Sequence, residues 1–253
     1  EFPLRLVGSE MCIRDSANTD TSRIARLWAY RILLKKADNQ VIDVLKQALK
    51  DTTHVALESG CSGFEEPYYR AALSVYRYDS YELKLPNQLC FSLDSLVFFD
   101  YMKPCGFERG LLMDFKPHKI YYATVIEEAD KGNDAILPLL AQYKNPNDRQ
   151  RINKLLKLNL KKAGVCSHEA CEAISNWNDP AFEWYAKAAC QATIKQEYYY
   201  AWDILHLLCA YPAPWSYQIL KKLLTQKGDY SNSVTAKDYL RAVSYTHLRA
   251  HET

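Results

Sequence analysis

The sequence predicts a mainly α-helical protein of antiparallel helix pairs stacked as a short α-solenoid, with an irregular helical bundle as the alternative packing. Three observations point there. Apolar residues recur three and four positions apart through most of the 253 residues, the spacing of one helix face. Proline, glycine and Asn/Asp clusters break that pattern about every 10–16 residues, as short helices joined by tight turns require. Only 8 glycines and 10 prolines, with 25% charged residues, exclude collagen-like, low-complexity and disordered chains. An apolar run long enough to span a membrane is missing, so no membrane partner is expected. The formal net charge of +2 provides no global pull toward nucleic acid or anionic lipid.

The two ends stand apart from this pattern. Arg5 to Ser16 (RLVGSEMCIRDS) back-translates to a nucleotide string whose reverse complement encodes VSYTHLRAHET, the sequence of Val243 to Thr253. Folding gives no reason for such an inverted repeat. Both strings resemble a transposase adapter used in sequencing libraries, read through at each end of an insert. Residues 1–16 and 243–253 are therefore expected to be foreign to the native protein, with 1–16 disordered. The native part, 17–242, holds 29 basic and 26 acidic residues and is expected to be a fragment of a longer protein.

Within 17–242 the elements follow from punctuation. Thr21 or Ser22 caps a helix carrying Ile24, Leu27, Trp28, Tyr30 and Leu33. Asp38 or Asn39 caps a second, with Val41, Val44, Leu45 and Leu49. The break Ser59 to Phe64 ends this pair, and Pro67 opens a helix through Tyr76. Residues 80–115 are ambiguous. Tyr81, Leu83 and Leu85 alternate with Glu82 and Lys84 as in a strand ended by Pro86, whereas Leu89, Leu93, Leu96, Val97 and Tyr101 suit a helix. A small β element is expected there. The N-terminal region is taken as 17–116. From 117 to 242, helices are predicted over 118–129, 134–143, 148–162, 168–176, 180–195, 198–210, 215–226 and 235–240.

The stretch Ala201 to Leu224 pairs two such helices across Pro212 and Pro214. Ile204, Leu207, Leu208 and Tyr211 line the first; Ile219, Leu220, Leu223 and Leu224 line the second. This helix–Pro-Ala-Pro–helix unit resembles the paired helices of HEAT-like α-helical repeat proteins, over about the C-terminal half. The resemblance implies a scaffold with no shared active site, so no catalytic residue carries over.

Seven cysteines remain once Cys12 is set aside, an odd number scattered along helical faces. They do not read as a disulfide framework, and a reducing, cytoplasmic setting is expected. Cys166, His168 and Cys171 place two thiols and an imidazole within six residues, but zinc requires a further ligand, and Ser167 suits a helix N-cap. His168, Glu169 and Glu172 resemble a metalloprotease HExxH helix with the second histidine replaced. Gly60, Ser62 and Gly63 fail the spacing of a nucleophile elbow, because Gly63 directly follows Ser62. Asp203, His206 and Cys209 fall at i, i+3 and i+6, where a carboxylate orients an imidazole beside a thiol. None of these completes a catalytic set, so no catalytic, metal or cofactor residue is assigned and no cofactor is expected. An enzyme or metal site around Cys166/His168/Cys171 or Asp203/His206 is the weakest reading.

The helix at 148–162 sets Arg151, Lys154, Lys157 and Lys161 against Ile152, Leu155, Leu156 and Leu160, with no acid after Asp148. Such a stripe meets an acidic protein or phosphates. Tyr198 to Tyr200, Trp202, Trp177, Trp184, Tyr185 and Trp215 add aromatics suited to half-buried ridges and binding surfaces. Arg151, Lys154, Lys157, Lys161, Tyr199, Trp202 and Trp215 are the candidate partner-binding residues. The leading expectation is a non-enzymatic protein-interaction scaffold; the alternative is a nucleic-acid-associated protein using the basic helix.

Overall fold

A computed structural model describes residues 13, 15–17, 20–59, 62–112, 115–163, 167–196 and 201–225. The segment 243–253, most of 1–16, Tyr198 to Tyr200 and the helix expected at 235–240 lie outside these. Within 1–16, Ile13, Asp15 and Ser16 are helical instead of disordered, and the apolar side chain of Ile13 is buried. The chain is mainly helical, with one small sheet among the described residues, and no described helix is long and apolar enough to cross a membrane. Two compact units divide between Phe107 and Glu108.

In the first unit, α1 (Arg23–Lys35) and α2 (Val41–Ala48) precede a β-hairpin, β1 (His54–Ser59) and β2 (Ser62–Pro67). The strands pair antiparallel from His54 opposite Pro67 to Ser59 opposite Ser62. Next come α3 (Tyr68–Leu83) and α4 (Asn87–Leu96), which runs on through a π-helical turn at Val97–Met102. Ser22 Oγ caps α1 by accepting from Ala25 N, while Asp38 Oδ1 accepts from Gln40 N ahead of α2. Leu27, Tyr30 and Leu33 are buried, but Ile24 and Trp28 flank that stripe and stay exposed. The Arg31 guanidinium covers the Trp28 ring from 5.7 Å.

The small β element thus lies at 54–67 and not in 80–115, where every described element is helical. Three alternating residues from Tyr81 to Leu85 are outweighed by the helix already running from Pro67, which buries Tyr68, Ala71, Ala72 and Tyr76. That helix stops at Lys84, which is left-handed (φ 48°), and Pro86 opens α4. Asp51 locks the unit together. It pairs with Arg26 at 2.9 Å, and the same guanidinium lies 4.5 Å over the Tyr68 ring. Burial lifts the Tyr68 phenol to about 12.

The second unit contains α5 (Arg109–Leu112), α6 (Lys119–Asp130), α7 (Leu137–Gln142), α8 (Arg149–Ala163), α9 (His168–Trp177), α10 (Glu183–Gln196), α11 (Ala201–Ala210) and α12 (Pro214–Thr225). Its first helix, α5, packs on α7, which is why the unit begins at Glu108 and not after Pro117 as the sequence suggests. Three of its turns repeat one device. A left-handed residue ends each helix: Gly132 (φ 83°), Lys144 (φ 50°) and Asn178 (φ 55°). An Asn or Asp follows and accepts from the amide two residues on: Asn133 from Ala135, Asn145 from Asn147, and Asp179 from Ala181. A short 3-10 turn then leads into α7, α8 and α10.

Alternate helices share a layer. Along one layer α5 packs on α7, α7 on α9, and α9 on α11; along the other α6 packs on α8, α8 on the turn that opens α10, and α10 on α12. Small residues face the packed interfaces: Ala170 and Ala173 on α9, and Ala186 and Ala189 on α10, are all buried. Leu155 and Leu207 are fully buried, as their amphipathic stripes require.

Candidate functional site

Helix α8 presents two faces with different fates. Ile152, Leu155, Leu156 and Asn159 are buried, whereas Lys154, Lys157 and Lys161 are exposed. Asn159 anchors the helix from inside, accepting from the Tyr185 hydroxyl at 3.0 Å and donating to Ser167 Oγ at 3.2 Å. Held this way, the outer face forms one wall of a groove of about 700 Å³. Its lining is Gln150, Asn153, Lys154, Lys157, Leu158, Lys161, Ala181 and Trp184. No acid is among them. Trp184 is 37% exposed, yet its ring is fixed: Nε1 donates to Asn153 Oδ1 at 2.6 Å, and Tyr185 meets it edge-on.

Of the basic stripe, Arg151 has another task. It reaches Asp130 at 2.7 Å and the buried Asp148 at 3.0 Å, tying α8 to α6. The hydrogen bond from Arg151 holds the Asp130 carboxyl below its ordinary value. Arg149 is likewise spent on Asp179 at 2.7 Å. By contrast, Lys154, Lys157 and Lys161 form no ion pair with another described residue. The candidate aromatics separate too. Trp215 Nε1 donates to Glu183 Oε1 at 2.7 Å and staples α12 to α10, so its polar tip is occupied. Trp202 lies on α11, its side chain beyond what is described, and Tyr199 lies outside the described residues.

The two catalytic candidates are crossed by the fold. Asp203 bonds His168 Nδ1 across to α9 at 2.5 Å, and His206 on its own helix also acts on its charge. Asp203 is almost wholly buried while the imidazole is half exposed. Burial pushes the Asp203 carboxyl above its ordinary value, against the opposing bond from His168. The other ring nitrogen faces Glu172 at 3.8 Å, and no described hydroxyl or thiol bonds it. Ser167 Oγ caps α9 by accepting from Ala170 N. Cys171 is buried, Cys209 is exposed, and Cys166 is outside the described residues. Among the described residues no three His, Cys, Asp or Glu side chains gather to hold a metal. The pair pins α9 to α11.

The three groove lysines are visible in the sequence, and their apolar neighbours are not. Trp184 carried a usable signal: on α10 it lies opposite the face that buries Tyr185, Ala186, Ala189 and Cys190. Leu158 and Ala181 gave none, because they meet the groove only once α8 packs on the turn at Pro180. No family model matches the chain, and neither a curated protein nor a solved structure matches it.

Proposed function

We propose that this chain is a non-enzymatic α-helical repeat module, similar in build to HEAT-like proteins, that binds a protein partner as a fragment of a longer cytoplasmic protein. The observation that carries the reading is the two-layer order of α5 to α12, in which each helix packs on the next but one or, for α8, on the turn that opens it. Such stacks bury a continuous core and offer their edges and grooves to partners. The chemistry at the polar clusters is consistent with this, since the His168–Asp203 pair, Asp148 with Tyr122, and Asp179 with Arg149 are all spent on joining elements.

A nucleic-acid reading draws on the lysines of α8. Its weakness is that Arg149 and Arg151, the residues best suited to phosphate, are already neutralised by carboxylates. Selection of random dodecapeptides on the immobilised chain tests the two together. The module reading expects convergent peptides that compete with one another. Failure of any peptide to converge, with retention on a polyanion column that falls steeply with salt, overturns it in favour of nucleic acid.

A further inference from the structure

We infer that the groove between α8 and the start of α10 is a docking site for a short acidic peptide segment with an apolar side chain among its carboxylates. This rests on the interaction-module reading and adds the chemistry of the partner.

Charge complementarity selects the occupant. Lys154, Lys157 and Lys161 lie along one wall, spaced by three and four residues, so their Cα atoms span about 10 Å. An extended peptide covers that length in about three residues. Its alternate side chains then set two carboxylates opposite the lysines, with the intervening side chain turned the other way. Ala181 and the exposed part of the Trp184 ring line the groove from the other element, and Leu158 adds an apolar contact among the lysines on α8. Gln150 and Asn153 add amide groups at one end, suited to the peptide's main chain. Asp130 is near enough to Lys154 to feel its charge, and Arg151 already pairs with that carboxylate.

The same geometry disfavours a nucleic-acid strand. Strong phosphate tracking takes about 6–10 cationic contacts along a path, and this patch supplies three lysines before the neighbouring arginines turn into internal ion pairs. Stacking successive bases also needs several aromatic faces along the strand, and Trp184 is the one aromatic in this lining. A short run of acids around one apolar residue uses the lysines, the floor and the amides together.

The test is fluorescence anisotropy on the full chain with three fluorescein-labelled probes. One is a nonapeptide of glutamates around a central leucine and phenylalanine; the second has glutamine in place of every glutamate; the third is a ten-nucleotide oligothymidylate. The glutamate peptide is expected to bind, and to weaken severalfold as sodium chloride rises from about 0.1 to 0.4 M. K154E/K157E should weaken it about tenfold or more. Trp184→Ala should weaken it about fivefold, with Trp184→Phe retaining most of the binding. Tyr217→Ala, at an exposed site on α12, serves as the unaffected control, and circular dichroism confirms that each variant is folded. Equal binding of the glutamine peptide, or tighter binding of the oligonucleotide, overturns the inference. So does glutamate-peptide binding that ignores K154E/K157E. If the dodecapeptide selection converges on sequences without acids, or on peptides that bind elsewhere, this inference falls and the module reading stands. If no peptide binds in either experiment, both fall.

Discussion

The two units of this chain solve the same problem, burying amphipathic helices, with different local rules. In the second unit one turn recurs: a left-handed residue, an Asx cap and a 3-10 turn, at Gly132, Lys144 and Asn178. A repeated turn repeats the angle between successive helices, and alternate helices accordingly fall into layers. The first unit uses the left-handed residue and Asx cap once, at Ala37 (φ 52°) with Asp38 accepting from Gln40, and does not build a series from it. It joins α2 to α3 through a hairpin, closes the hairpin's base with Tyr68 N donating to Thr53 O, and centres its polar contacts on Asp51. A repeated turn spreads stability over many modest contacts, whereas a single hub concentrates it.

That contrast can be broken at several points. Leu155→Ala empties a fully buried site in the layered unit and should lower its unfolding free energy by about 2–5 kcal/mol, read from urea denaturation. In the first unit Asp51→Asn removes the charged acceptor of Arg26 and should cost about 1–3 kcal/mol. If Asp51 is a hub, Arg26→Gln combined with Asp51→Asn costs little more than either alone; additive losses would refute the hub. A single turn of the layered unit matters less. Asn145→Ala should cost about 1 kcal/mol, the usual value of a lost cap. Lys144→Gly should stabilise by up to about 1 kcal/mol, because its φ of 50° suits glycine. A loss on Lys144→Gly would mean that the turn is held by something other than backbone preference.

Acid separates the units further. Burial pushes the Asp51 carboxyl up, but the Thr53 and Arg26 hydrogen bonds together outweigh it and leave the group below 3.8. Asp51 therefore contributes stability that is fully present above pH 3.8 and is lost as pH falls through its lower folded value. Asp203 runs the other way. Burial raises it above 3.8, so the folded state holds its proton more tightly than the unfolded state does. Acidification from its raised value down toward pH 3.8 strengthens the layered unit through this group. Amide hydrogen exchange resolved by unit, compared between wild type, Asp51→Asn and Asp203→Asn, reads both signs. If each variant leaves the pH dependence of its own unit unchanged, the assignment fails.

How far the residues announce this architecture depends on range. The helices after Pro117 are legible because Asn145, Pro146 and Asp148, or Asn178, Asp179 and Pro180, state a stop and a start within four positions. The hairpin at 54–67 is not, since Gly60 and Cys61 between Ser59 and Ser62 read as well as a loose break. The alternation at Tyr81 to Leu85 misled for a related reason: three residues fit a period of two by chance, while the helix from Tyr68 has sixteen residues of momentum. At the candidate site, the lysines are visible on a helical wheel and their apolar neighbours are not.

The amino-acid pattern suffices for the helical class, most helix limits after Pro117, the exposed lysine row on α8 and the burial of Leu155 and Leu207. These depend on interactions within about one turn, where spacing and chemistry lie side by side in the chain. The groove beside Trp184, the diversion of Arg151 to Asp130 and Asp148, and the bond from His168 to Asp203 came only with packing. Arg151 reaches back 21 residues and His168 forward 35, and contacts at such separations depend on how helix faces meet.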